Sequence, residues 1–141
     1  MIKKIILSVI ALIILFPIVC LSWLVFRMNN PNIGINAKSF SRIPNSAHEI
    51  YFIDAPLYGQ CIFTIGNDEF NNWIDDKKYS IYKINNPNSS RFIFSKIKGY
   101  PMEITDCKNA ILYEWRDVDG GGFSVNYFKE NGLVVYDWSS N

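Results

Sequence analysis

The hydrophobic and polar positions divide the chain into three stretches with different periods. From Ile5 to Phe26 the run IILSVIALIILFPIVCLSWLVF is apolar but for Ser8 and Ser22, with Lys3 and Lys4 before it and Asn-rich sequence after it. As a helix those residues rise ~33 Å at ~1.5 Å each, enough for the hydrocarbon core of a bilayer. Residues 28–43 mix Asn, Gly and Pro without periodicity and predict an extended connector. From Pro44 onward short alternating runs take over, and a folded domain is expected over residues 44–141.

Within that domain HEIYFID, from His48 to Asp54, reads as a strand, and APLYG as a turn. QCIFTI places Cys61, Phe63 and Ile65 on one face and Ile62 and Thr64 on the other, which predicts a second strand. The period then changes. Phe70, Trp73 and Ile74 fall at i, i+3 and i+4, behind Asn67 as a cap and Asp68 and Glu69 at the positive end of the helix dipole, with Lys77 and Lys78 at the other end. One short amphipathic helix packing its Phe-Trp-Ile stripe on a sheet accounts for this spacing.

Beyond the helix, KYSIYKI reads as a strand or an irregular extension and NNPNSS as a loop. RFIFSKI, NAILYEWR, GFSVNYF and LVVYDWS then read as strands. Turn chemistry joins the last three into a meander: Asp119 to Gly122 at one joint and Asn131-Gly132 at the other. The expected fold class is therefore α+β, an N-terminal transmembrane helix followed by one helix packed on a mostly antiparallel sheet.

The apolar run is too long for a cleaved secretory signal, and no Ala-x-Ala closes it before Arg27. Cys20 follows Ile18 and Val19 rather than small residues, so it reads as a lipid-facing or helix-packing thiol. Pro17 is tolerated inside a span, and Trp23 suits either the membrane interface or a packing role. Residues 1–27 are thus expected to be a retained signal anchor. Lys3 and Lys4 with the terminal amine against Arg27 favour a cytoplasmic N-terminus, hence a single-pass anchor in the cell inner membrane with a periplasmic or extracellular domain.

Charge narrows the function classes. The 14 Lys and Arg less Lys3, Lys4 and Arg27 leave 11 against 13 Asp and Glu, a balance of minus 2 outside the span. No basic stripe is available to neutralise phosphates, which argues against nucleic acid as a partner. Cys61 and Cys107 have two readings. In an oxidising compartment they form one disulfide, closing a loop of about 45 residues and worth about 2–4 kcal/mol. Otherwise they are two buried thiols. With the single His48 they show no metal-ligand spacing, and no cofactor motif is present.

Asp117-Val118-Asp119-Gly120-Gly121-Gly122 could be taken for a calcium loop, but its twelfth residue is Phe128 where a bidentate Glu is needed, and strands rather than helices flank it. A glycine-rich hairpin is the simpler reading. His48 and Glu49 are strand neighbours pointing to opposite faces, and no nucleophile motif accompanies them, so no catalytic residue is assigned. The many carboxylates cannot be paired from their positions in the chain. Trp115, Arg116, Asp117, Asp119 and Trp138 combine aromatic and charged side chains of the kind that carry protein interfaces, and they are the candidate binding residues.

Pro44-Asn45-Ser46-Ala47-His48-Glu49-Ile50, Phe63-Thr64-Ile65 before the Phe70–Trp73 helix, and the Asp119-Gly-Gly-Gly hairpin with Tyr136-Asp137 resemble small exported or membrane-anchored bacterial proteins. The resemblance spans residues 44–138 and implies a fold and a location, with no functional residues to carry over. Two function classes remain. One is a noncatalytic interaction domain, an immunity or inhibitor protein that binds a toxin or envelope enzyme. The other is a small envelope hydrolase using acidic residues, with a structural part of an envelope assembly close to the first.

Overall fold

A computed structural model describes residues 2–76, 82–84 and 110–140, with side chains from Val9 onward except at residues 82–84. Helix α1 spans Ile2–Asn29 and continues through Pro17. Its stretch Val9–Asn29 is long and apolar enough to cross a membrane, and none of the apolar window is buried in the protein. An isolated helix with apolar side chains on every side needs a lipid-like surrounding, because water would face all of them.

The remaining elements are β1 (Asn32–Ala37), β2 (His48–Asp54), β3 (Tyr58–Thr64), α2 (Asn67–Asp75), β4 (Tyr82–Ile84), β5 (Ala110–Arg116), β6 (Gly122–Phe128) and β7 (Leu133–Ser139). The strands form one sheet in the order β1-β2-β3-β7-β6-β5-β4, with every neighbouring pair antiparallel. With α2 packed on this sheet, the domain is α+β.

Within residues 28–43, Asn32–Ala37 are extended and paired rather than free. Asn32, Ile33 and Gly34 stand opposite Asp54, Ile53 and Phe52 of β2. Gly34 is required there: the Phe52 ring lies where a Cβ would be. Phe40 stacks on Phe52 with ring centroids 4.3 Å apart, and Ile43 and Ala47 are buried in the same core. A segment with few strand-forming residues is held in place by these tertiary contacts, so the packed region begins well before Pro44.

Helix α2 starts one residue earlier than Asn67 suggested as a cap. Gly66 is the N-cap, and its backbone N–H donates to the Glu69 carboxylate at 3.2 Å. Asn67 is helical, and its side-chain oxygen accepts from the Tyr127 hydroxyl. Phe70 and Ile74 are buried, with Trp73 packed beside them, as the spacing predicted. Lys77 and Lys78 lie outside the described residues, as does the expected strand RFIFSKI. The Asn131-Gly132 joint behaves as a turn: Gly132 has φ +69° and the Leu133 N–H donates to Asn131 Oδ1 at 3.1 Å.

The core lies between the sheet and α2, where Phe52, Cys61, Phe63, Tyr127, Val134 and Tyr136 belong to one buried cluster with Phe70. The opposite face buries a smaller cluster of Ile62, Leu133 and Val135. Cys61 is a free thiol with no solvent exposure. Its expected partner Cys107 lies outside the described residues.

Burial pushes the Cys61 thiol above its ordinary value of about 9, and the same cause raises the phenols of Tyr113, Tyr127 and Tyr136. As pH rises the unfolded chain loses these protons first, so the folded state binds more protons and stability falls. We expect stability to decline from about pH 9 upward, Cys61 alone contributing about 1.4 kcal/mol per pH unit. Urea unfolding at several pH values measures this, and Cys61→Ala should remove the first part of the decline. An unchanged slope in that variant would mean that the thiol titrates alike in the folded and unfolded states, so that burial does not raise it.

Candidate functional site

The β5–β6 hairpin gathers most of the candidate residues at one end of the sheet. Arg116 pairs with Gly122, leaving residues 117–121 as the loop. Inside it the Asp117 N–H donates to the Gly121 carbonyl at 2.7 Å, the Gly120 N–H donates to the Asp117 carbonyl at 3.0 Å, and the Val118 N–H donates to Asp117 Oδ1 at 2.7 Å. Gly120 has φ +86°, a conformation that suits glycine. At Gly122 a Cβ would collide with the Trp115 carbonyl. The glycines are thus explained by hairpin geometry. Among the described residues no group of three or more His, Cys, Asp and Glu could hold a metal ion.

The loop closes itself by backbone bonds and directs its side chains outward. Val118 at its tip is 97% exposed, between the exposed Asp117 and Asp119. Below the tip, Trp115, Asp117 and Asp119 line a groove of about 260 Å³ with Gly121, Gly122, Ser139 and Ser140. An adjoining groove of about 320 Å³ runs over Trp115, Phe123, Tyr136 and Trp138 to Arg42 and Pro56. Trp115 is half-buried and stacks on Phe123 at 5.9 Å. Trp138 is 8% exposed, under the Arg42 guanidinium at 4.9 Å, and its indole N–H has no hydrogen-bond partner among the described residues. Arg42 also faces Asp54 across 3.7 Å.

Alternation along the strands separates Arg116 from the two tryptophans, because neighbouring residues point to opposite faces. Arg116 bonds Glu114 at 2.9 Å on its own face. There a third cleft of about 170 Å³ is lined by Tyr58, Gln60, Arg116, Ser124 and Asp137, among others. The register sets Gln60 opposite Asp137, Asp137 opposite Ser124, and Ser124 opposite Glu114, a polar row across four strands. Gln60 Nε2 donates to Asp137 Oδ1 at 2.8 Å. All three concavities share Gly122 and Ser139.

The five candidates therefore do converge, but on two faces around one sheet end. His48 is exposed at the start of β2, remote in register from this end, and the Glu49 carboxylate accepts a hydrogen bond from the Thr64 hydroxyl at 3.0 Å. Sequence reasoning missed Arg42, Gln60, Ser124, Ser139 and Ser140. Period-two alternation would have separated Arg116 from Trp115, whereas no local signal places Arg42 on Trp138. Comparison of the chain with known protein families, curated proteins and solved structures finds no match.

Proposed function

We propose that this chain is a membrane-anchored interaction domain facing the periplasm or cell exterior, and that it engages a protein partner of the toxin or envelope-enzyme kind through the β5–β6 hairpin. The observation that carries the proposal is the tip: an apolar side chain 97% exposed, flanked by two exposed carboxylates and set above a half-buried tryptophan. An exposed apolar residue gains most when a partner removes it from water, and the aspartates favour a partner with basic residues around an apolar pocket. Aromatic anchors at the centre with charged residues at the rim match the general anatomy of interfaces.

Crosslinking in intact membranes followed by solubilisation and co-purification tests the reading. Val118→Asp, and separately Asp117→Asn with Asp119→Asn, should weaken capture of the partner at least about tenfold, since central interface residues carry about 2 kcal/mol or more. All three positions are exposed, so the variants should keep the wild-type unfolding midpoint. Recovery of the wild-type chain only as a lone monomer counts against the proposal.

A further inference from the structure

The first strand of the sheet has an exposed apolar margin that the proposed partner site leaves unexplained. Ile33 and Ile35 are 49% and 58% exposed. Both lie on β1, whose pairing with β2 slips between Gly34 and Ala37, and Ile33 pairs with the half-buried Ile53 of β2. Among the described strands β1 is also a sheet edge. An edge bearing exposed isoleucines is a site for unwanted strand pairing unless something covers it.

Chain continuity identifies the cover. α1 ends at Asn29 and β1 begins at Asn32, so only Asn30 and Pro31 separate them. From Phe26, where the apolar run ends, three helical residues rise ~4.5 Å and two extended residues reach at most ~7 Å more. The headgroup layer outside the hydrocarbon core is itself ~5–8 Å deep on each side. The isoleucines of a strand tied this closely to a membrane helix stay near the lipid surface. Charge agrees with that placement: no Asp or Glu precedes Glu49, whereas Arg27, Lys38 and Arg42 all fall between the span and β2. The segment next to the bilayer is uniformly cationic, and all 13 acidic residues come after it.

We propose that β1 lies against the bilayer, with Ile33 and Ile35 in the headgroup layer and Arg27 and Lys38 against anionic phospholipid headgroups. The inference rests on α1 spanning a membrane and is independent of the partner reading. β5 is five strands from β1 in the sheet order, ~24 Å at ~4.8 Å per strand, so the β5–β6 hairpin is well separated from the strand tied to the membrane helix.

Photocrosslinking of the full chain in vesicles containing phosphatidylglycerol tests this directly. With p-benzoylphenylalanine at Ile35, and in a second variant at Ile33, the lipid-adduct yield should exceed that of the same probe at Val118 by at least about fivefold. A yield no greater than at Val118 overturns the proposal, and so does a crosslink to a second copy of the chain, which would make β1 a dimer edge. Replacing phosphatidylglycerol by phosphatidylcholine should lower the yield at Ile35, because the cationic segment loses its counter-charge. An equal yield in the two lipids overturns the anionic-headgroup assignment.

Discussion

Phe70→Ala should destabilise the domain by about 3–5 kcal/mol, a large share of the ~5–15 kcal/mol that holds a typical domain folded. Phe70 has no solvent exposure. Its ring stacks on Tyr127 with centroids 3.8 Å apart and meets Tyr113 at 5.6 Å and Trp73 at 5.9 Å. Nine residues of helix are too few to persist alone, since isolated helices shorter than about 12–15 residues are marginal in water. Packing must therefore hold α2, and Phe70 supplies the deepest contact. Removing it leaves a void between three rings and releases the helix that covers this part of the sheet. Urea unfolding of the full chain in detergent, followed by tryptophan fluorescence, measures the effect, with Asn71→Ala on the exposed side of α2 as a control expected within about 0.5 kcal/mol. A loss below about 1 kcal/mol for Phe70→Ala would show that α2 is held elsewhere.

That helix was legible in the sequence because one period governs it: Phe70, Trp73 and Ile74 have no other reason to be spaced as they are. The strands β2, β6 and β7 were legible to the residue, since alternation and turn dipeptides bound each of them. β1 was not. Its Asn and Gly content gives a weak strand preference, and its conformation is imposed by β2 and by the Phe52 ring lying over Gly34. The strand order was equally hidden. Nothing local says that β7 inserts between β3 and β6, because that pairing joins residues more than sixty positions apart. The same reason explains the site. Hairpin residues 115–119 were readable as a group, while Arg42 over Trp138 and Gln60 against Asp137 are products of non-local pairing.

Trp138 couples the candidate site to the core, and two substitutions should interact there. Trp138→Ala should cost about 3–5 kcal/mol, because the ring is 8% exposed and contacts Tyr136, Phe40 and the Arg42 guanidinium. Gly59 stands opposite Trp138 in the β3–β7 register, and the indole occupies the space where a Cβ would be. Gly59→Ala should therefore cost about 1–3 kcal/mol in the wild type, because the ring must shift and carry its contacts with it. When the ring is absent, much of that cost disappears. The remaining crowding comes from the Ile53 carbonyl oxygen, 2.7 Å from the added carbon, and that part of the cost stays in the double variant. The double variant should thus be more stable than the sum of the single losses implies, by at least about 1 kcal/mol. Strict additivity would mean that the glycine is required by the Ile53 backbone alone. A displaced ring would also move Arg42 and reshape the groove that runs between Trp115 and Pro56. Gly59→Ala should accordingly weaken partner capture without any change at the hairpin, which separates the groove's contribution from that of Val118.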